Sequence, residues 1–187
     1  IRNNNSSRFG KYVNLKFNKD WKVMGAEVRT FLLEKSRVTN ASLQHERSYH
    51  IFYQLLAASQ KAGQGLPALQ GKHPNDFHYT ALSGTNYVPQ IDDLKDFDAM
   101  AAALDSCGLD ASEKVDLYGI LYALLSLGNV RFGPSAEGSD VIVVTPQTEA
   151  DLRTAEQFLG IGDISELLVE KVVKSPRSNQ VYHISLD

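Results

Sequence analysis

A single cysteine, Cys107, in 187 residues excludes an internal disulfide framework, so the fold must rest on packing. Its expected place is that of a small buried side chain rather than a reactive thiol. No stretch approaches the roughly 18 consecutive apolar residues of a membrane span, so no transmembrane segment is expected. The polar first ten residues do not form a signal peptide. Strong charge imbalance is missing too. A formal net charge of -3, with the aromatics on predicted buried faces, disfavours nucleic acid as a partner. Asn-x-Ser occurs at Asn4, Asn5 and Asn40, as chance matches in a chain expected to be cytoplasmic. With 43% hydrophobic and 22% charged residues, the chain suits one ordinary globular domain or a large subdomain.

Against that background the first residues stand out. Arg2-Asn-Asn-Asn-Ser-Ser-Arg-Phe-Gly-Lys11 packs short polar side chains between two arginines and a glycine. Hydroxyls of Ser6 and Ser7 suit a hard cation or an oriented water, and the amides of Asn3, Asn4 and Asn5 offer donors and acceptors. Arg8 brings a planar fork of donors for a phosphate or carboxylate. A polar N-terminal tail preceding a strand is the competing reading.

Tyr12-Val-Asn-Leu-Lys-Phe alternates, with Tyr12 and Asn14 on one face and Val13, Leu15 and Phe17 on the other, which predicts a strand. Asn18-Lys19-Asp20 supplies a turn, and the extended run from Trp21 to Phe31 completes a hairpin. Tyr49, Phe52, Tyr53 and Leu56 predict an amphipathic helix over 42–59, with Gln44, Glu46 and Arg47 on its polar side. Glu46 and His50 stand four apart, two ligands without a third and hence no metal site. Residues 60–90 read as a long connection with one short element near 77–82. Leu94, Phe97, Ala101 and Leu104 mark a helix begun by Asp92 and Asp93 and ended by Gly108. Asp110 and Glu113 make a capping-box pair ahead of a helix over 115–127, apolar on most faces, stopped by Gly128-Asn129 and suited to the centre of the core. A flexible loop and a β-prone run, Val141-Ile-Val-Val, follow. Thr145 with Pro146 then opens a helix reaching Leu159, and Ser165 caps a short segment to Val169. Residues 171–187 hold Lys171, Lys174 and Arg177 against Asp187, a basic hairpin on an acidic chain. An ordinary solvated hairpin is the alternative there.

N-x-N-S-S-R-F-G-K resembles the switch I loop of the myosin motor head. Leu32-Leu-Glu-Lys-Ser-Arg-Val38, Glu46-Arg-Ser-Tyr-His-Ile-Phe-Tyr-Gln-Leu-Leu56 and Leu125-Ser-Leu-Gly-Asn-Val-Arg-Phe132 are similar to later myosin segments in the same order. The resemblance runs along the whole chain and is weakest between Ser59 and Tyr87. It implies a mixed α and β, mostly helical fragment of a P-loop NTPase-type head, with an antiparallel hairpin belonging to a larger mixed central sheet. Neither the family's G-x-x-x-x-G-K-T loop nor its D-x-x-G-F-E segment occurs in the sequence. The chain is therefore expected to be a piece that begins within or just before switch I and ends before the D-A-L-A-K helix.

By the same resemblance, residues 1–11 are switch I and 12–31 a hairpin of the central sheet. Residues 42–170 are a helical upper actin-binding subdomain, and 171–187 a surface loop contacting actin through Lys171, Lys174 and Arg177. Near its tip, at Gln180 or neighbouring Asn179 and Ser178, the family's usual acidic or phosphorylatable position departs from pattern. The implied cofactors are ATP and Mg2+. Asn3 and Asn5 would contact nucleotide, Ser6 would orient the attacking water and γ-phosphate, and Ser7 would complete the magnesium shell. Arg8 would pair with a switch II glutamate outside this chain. The implied partners are the actin filament, the remainder of the motor domain, and light chains or calmodulin-like proteins on the parent neck, in a cytoskeleton-associated setting. The complete head would be an actin-activated Mg-ATPase and the isolated fragment no enzyme. The contrasting hypothesis is a stand-alone, non-enzymatic helical interaction module.

Overall fold

The computed structural model describes residues 7–39, 46–135, 138–174 and 181–185. Asn3, Asn5, Ser6 and Arg177 lie outside them. The chain divides into two compact units, residues 1–40 and 41–187.

The first unit is a hairpin and one helical turn. Strands β1 (Gly10–Phe17) and β2 (Val23–Phe31) pair antiparallel, with Val13 opposite Val28, Leu15 opposite Ala26 and Asn14 opposite Glu27. The alternation therefore sorts as the sequence predicts, polar Tyr12, Asn14, Glu27 and Arg29 on one side and aliphatics on the other. Asn18 builds the turn, its Oδ1 accepting from the amides of Asp20 and Lys22 at 2.9 Å each. Trp21 takes the left-handed conformation there, φ 61°. Beyond β2 the chain turns at Leu32, again left-handed, and enters α1 (Ser36–Thr39).

In the second unit, α2 (His50–Ala58) packs on α4 (Asp93–Ser106) and on α5 (Ala111–Asn129), while α5 packs on α3 (His78–Ala81) and α6 (Glu149–Leu159). Phe52, Leu55, Leu56, Leu69, Phe77, Phe97, Tyr118, Leu125 and Leu152 fill the core. Tyr122 joins two layers, edge-on to Phe77 at 6.1 Å and tilted against Phe158 at 5.1 Å. Two further hairpins, β3 (Phe132–Ser135) with β4 (Gly138–Val144), and β5 (Glu170–Lys174) with β6 (Val181–Ser185), flank the helices. A short helix α7 (Ser165–Val169) leads into β5. Among the described residues no helix is long and apolar enough to cross a membrane.

Several expectations need correction. The helix predicted over 42–59 starts at His50, since Tyr49 is its extended N-cap and residues 46–49 are not helical; residues 42–45 lie outside the described set. Arg47, placed on a polar face by periodicity, is buried. Residues 60–90 are more ordered than a connection: turns of 3-10 helix at Pro67–Leu69 and Pro74–Asp76 precede α3, and Leu66, Leu69, Phe77 and Thr80 are buried. Helix α5 runs through Gly128 and Asn129 instead of stopping before them, and its Val115, Ile120 and Leu124 face outward. The loop after Arg131 is the β3–β4 hairpin. Thr145 and Pro146 open a 3-10 turn, Pro146–Thr148, before α6 begins at Glu149, and Ile164, not Ser165, occupies the N-cap position of α7. Cys107 is exposed, because it is the C-cap of α4 ahead of left-handed Gly108 (φ 90°).

The capping box is as predicted. Asp110 accepts from the amide of Glu113 at 2.9 Å, and Glu113 accepts from that of Asp110 at 2.8 Å. Gly160 ends α6 in the left-handed region, φ 64°.

Candidate functional site

Within the first unit the hairpin brings Arg8 and Glu34 together. The amide of Glu34 donates to the carbonyl of Arg8 at 2.9 Å, so the backbones meet just beyond the last paired rung, Gly10 with Phe31. Their side chains meet as well. Arg8 Nη1 donates to Glu34 Oε2 at 3.2 Å, and Arg37 Nε, from the first turn of α1, donates to the same oxygen at 3.2 Å. One carboxylate thus bridges two guanidinium groups. Arg37 is buried, whereas Arg8 and Glu34 are each about one-third exposed.

Burial opposes ionisation of Glu34, but the Arg37 hydrogen bond and charge, followed by the charge and hydrogen bond of Arg8, outweigh it. The Glu34 carboxyl is consequently held below its usual range. Ser7 lies next to Arg8 and is exposed. Its hydroxyl is a hard-oxygen donor of the kind a magnesium ion takes, and Arg8 beside it suits phosphate or carboxylate oxygens, so the donor types present fit a nucleotide–magnesium group.

The other predicted surface is the β5–β6 hairpin. Lys171, opposite Ile184, is exposed, and Lys174 forms the last rung, opposite Val181. Exposed Val172, Val181, Tyr182 and Ile184 accompany them. The metal reading of Glu46 and His50 loses its helical spacing, since Glu46 is not in α2; no group of three or more metal-ligating side chains occurs among the described residues.

Two ionic features escaped the sequence reading. Glu34 and Arg37 carried no periodic signal, lying three and six residues beyond the end of β2 in a loop and a single helical turn; only their place in a matched segment marked them. The second is Arg47, whose Nη2 donates to both carboxylate oxygens of Asp93, at 3.0 and 2.8 Å, while its guanidinium carbon lies 3.8 Å from the centre of the Tyr53 ring. Asp93 opens α4, whose N-cap Asp92 accepts from the amide of Lys95. The segment before α2 is thereby tied to the start of α4.

Asn129 joins three elements. Its Nδ2 donates to the carbonyl of Asp76 at 2.9 Å and to Asp151 Oδ1 in α6 at 3.2 Å, and its Oδ1 accepts from the amide of His78, the first residue of α3.

The family model for the myosin head (motor domain) matches residues 1–186. Myosin-1 of Coprinopsis cinerea is 34% identical over 190 residues, which cover 100% of this chain and 14% of that protein. Myosin-11 of Arabidopsis thaliana is 36% identical, covering 100% of this chain and 12% of its own length. For the Myosin-K heavy chain of Dictyostelium discoideum the figures are 40% over 160 residues, 86% and 18%. The chain thus spans less than a fifth of each of these relatives.

Proposed function

The chain belongs to the myosin head (motor domain) family, and on that premise we propose that it supplies switch I and part of the actin-binding surface of an ATP-driven motor. The observation that carries the reading is the match along residues 1–186, in which Ser7-Arg8-Phe9 lead directly into β1. In the complete head, Asn3 and Asn5 contact the nucleotide and Ser6 orients the attacking water and γ-phosphate. Ser7 offers its hydroxyl to magnesium. Arg8 pairs with a carboxylate from another part of the head, closing the site for hydrolysis.

ATP with bound magnesium brings the phosphoryl group to be transferred and a cation that neutralises phosphate charge. This chain's residues position it and stabilise developing charge through fixed donors. Lys171, Lys174 and Arg177 meet the acidic actin filament. Light chains or calmodulin-like proteins belong to the parent's neck, and the setting is cytoplasmic and cytoskeletal. The isolated chain does not hydrolyse ATP, because it lacks the main phosphate-binding loop.

The test is Arg8→Ala in a complete head. Nucleotide affinity should remain within roughly threefold while the hydrolysis step falls by two orders of magnitude or so, the pattern of an interaction made only on the way to the transition state. Equal loss in binding and hydrolysis would contradict the assignment.

A further inference from the structure

We propose that Glu34 is a positioning residue for Arg8, with Arg37 as the residue that fixes Glu34. The inference rests on the reading of Arg8 as a switch I arginine and adds its support. A long arginine side chain loses considerable rotamer freedom when it must present its guanidinium to one acceptor. Here that ordering is made in advance. The backbone bond from the Glu34 amide to the Arg8 carbonyl fixes the two main chains, and the Nη1 to Oε2 contact fixes the end of the side chain.

Glu34 is held in turn. Its Oε2 also accepts from Arg37 Nε, and the Arg37 amide donates to the Glu34 carbonyl at 3.1 Å, which places carboxylate and α1 in one rigid turn. Arg37 is buried, so the anchor is fixed by packing as well as by charge. Two arginines share one carboxylate oxygen. A guanidinium has five N–H donors in a plane. Glu34 Oε2 takes the Nη1 end of that plane, and a bidentate carboxylate or phosphate engages two parallel N–H donors of such a fork. Glu34 thus orients the arginine through one nitrogen of its fork.

The experiment uses complete heads carrying Glu34→Gln, Glu34→Asp, Arg8→Ala and the Arg8→Ala/Glu34→Gln pair, with nucleotide affinity and single-turnover hydrolysis measured separately. Glutamine keeps the shape and removes the charge. Glu34→Gln should slow hydrolysis roughly two- to fivefold, as suits one partly exposed ion pair, with nucleotide affinity nearly unchanged. Glu34→Asp should recover part of the rate. In the pair, Glu34→Gln should add nothing to Arg8→Ala, because Glu34 acts through Arg8. An additive pair, or equal loss of affinity and hydrolysis in Glu34→Gln, would assign Glu34 a merely structural role and overturn the proposal. A normal rate in Glu34→Gln with a depressed rate in Arg8→Ala overturns it while leaving the switch I reading intact. A normal rate in Arg8→Ala removes both.

Discussion

Arg47 illustrates how a charged residue becomes structural. It is 4% exposed, yet its head is matched by Asp93 and laid on Tyr53, so the cost of desolvating the cation is offset by a doubly contacted carboxylate and a ring face. Burial pushes the Tyr53 hydroxyl pKa up even though the Ser48 amide and the Arg47 charge favour its ionised form. That hydroxyl instead donates to the carbonyl of Thr80 at 3.1 Å. Replacing Arg47 by methionine keeps the stem and strands Asp93. Asp93 is one-fifth exposed and can rehydrate in part, so the loss should fall at the low end for broken buried pairs, about 3 kcal/mol. Denaturant unfolding of Arg47→Met and of the Arg47→Met/Asp93→Asn pair checks this. The pair should recover a large share of the loss, and an equally unstable pair would show that the ring contact, not the ion pair, matters.

Helix α5 depends on glycines where other helices approach. A Cβ on Gly128 would lie 2.6 Å from Cδ2 of Tyr79, and one on Gly119 would lie 2.9 Å from Cδ1 of Phe158. Helix propensity favours alanine by about 1 kcal/mol in a helix interior. Overpacking against the base of a ring costs about 1–3 kcal/mol and should win at Gly128, where Cγ of Tyr79 is also within 2.8 Å. Gly128→Ala is therefore expected to lower the melting temperature of the second unit by several degrees, read by circular dichroism. A raised melting temperature would mean that Tyr79 swings aside freely. Helix α5 continues through Gly128 and Asn129. The glycine admits a ring, and the asparagine side chain serves α3 and α6 instead of ending its own helix.

At the scale of the molecule, the first unit lacks a core of its own. Val13, Leu15, Phe17, Val28 and Phe31 are all exposed, and a two-stranded hairpin alone is marginal in water. These apolar positions suit the larger sheet of a complete head. The second unit closes a core around α5 and carries the basic hairpin at its end. Charge reversal at Lys171, Lys174 and Arg177 in a complete head should weaken actin cosedimentation at low salt. The difference should shrink as ionic strength brings the Debye length to about 8 Å. Each exposed pair is worth up to about 1 kcal/mol and acts more on association rate than on residence time. ATP turnover without actin should hardly change, and normal low-salt binding would withdraw the actin assignment of this hairpin.

Local pattern alone determined the first hairpin, the capping box at Asp110, the position of α4 and the end of α6 at Gly160. These depend on alternation, on side chains three residues apart, and on one backbone conformation, all of which act over a few residues. Motif order alone likewise determined the family. Tertiary structure decided the rest, because the deciding partners are distant in sequence. Arg47 is buried by Asp93, 46 residues away, and Asn129 is engaged by a carbonyl 53 residues away. Cys107 is exposed because its helix ends at the surface. Glu34 meets Arg8 only because the intervening residues fold back as a hairpin, and no local periodicity encodes a contact across 26 residues.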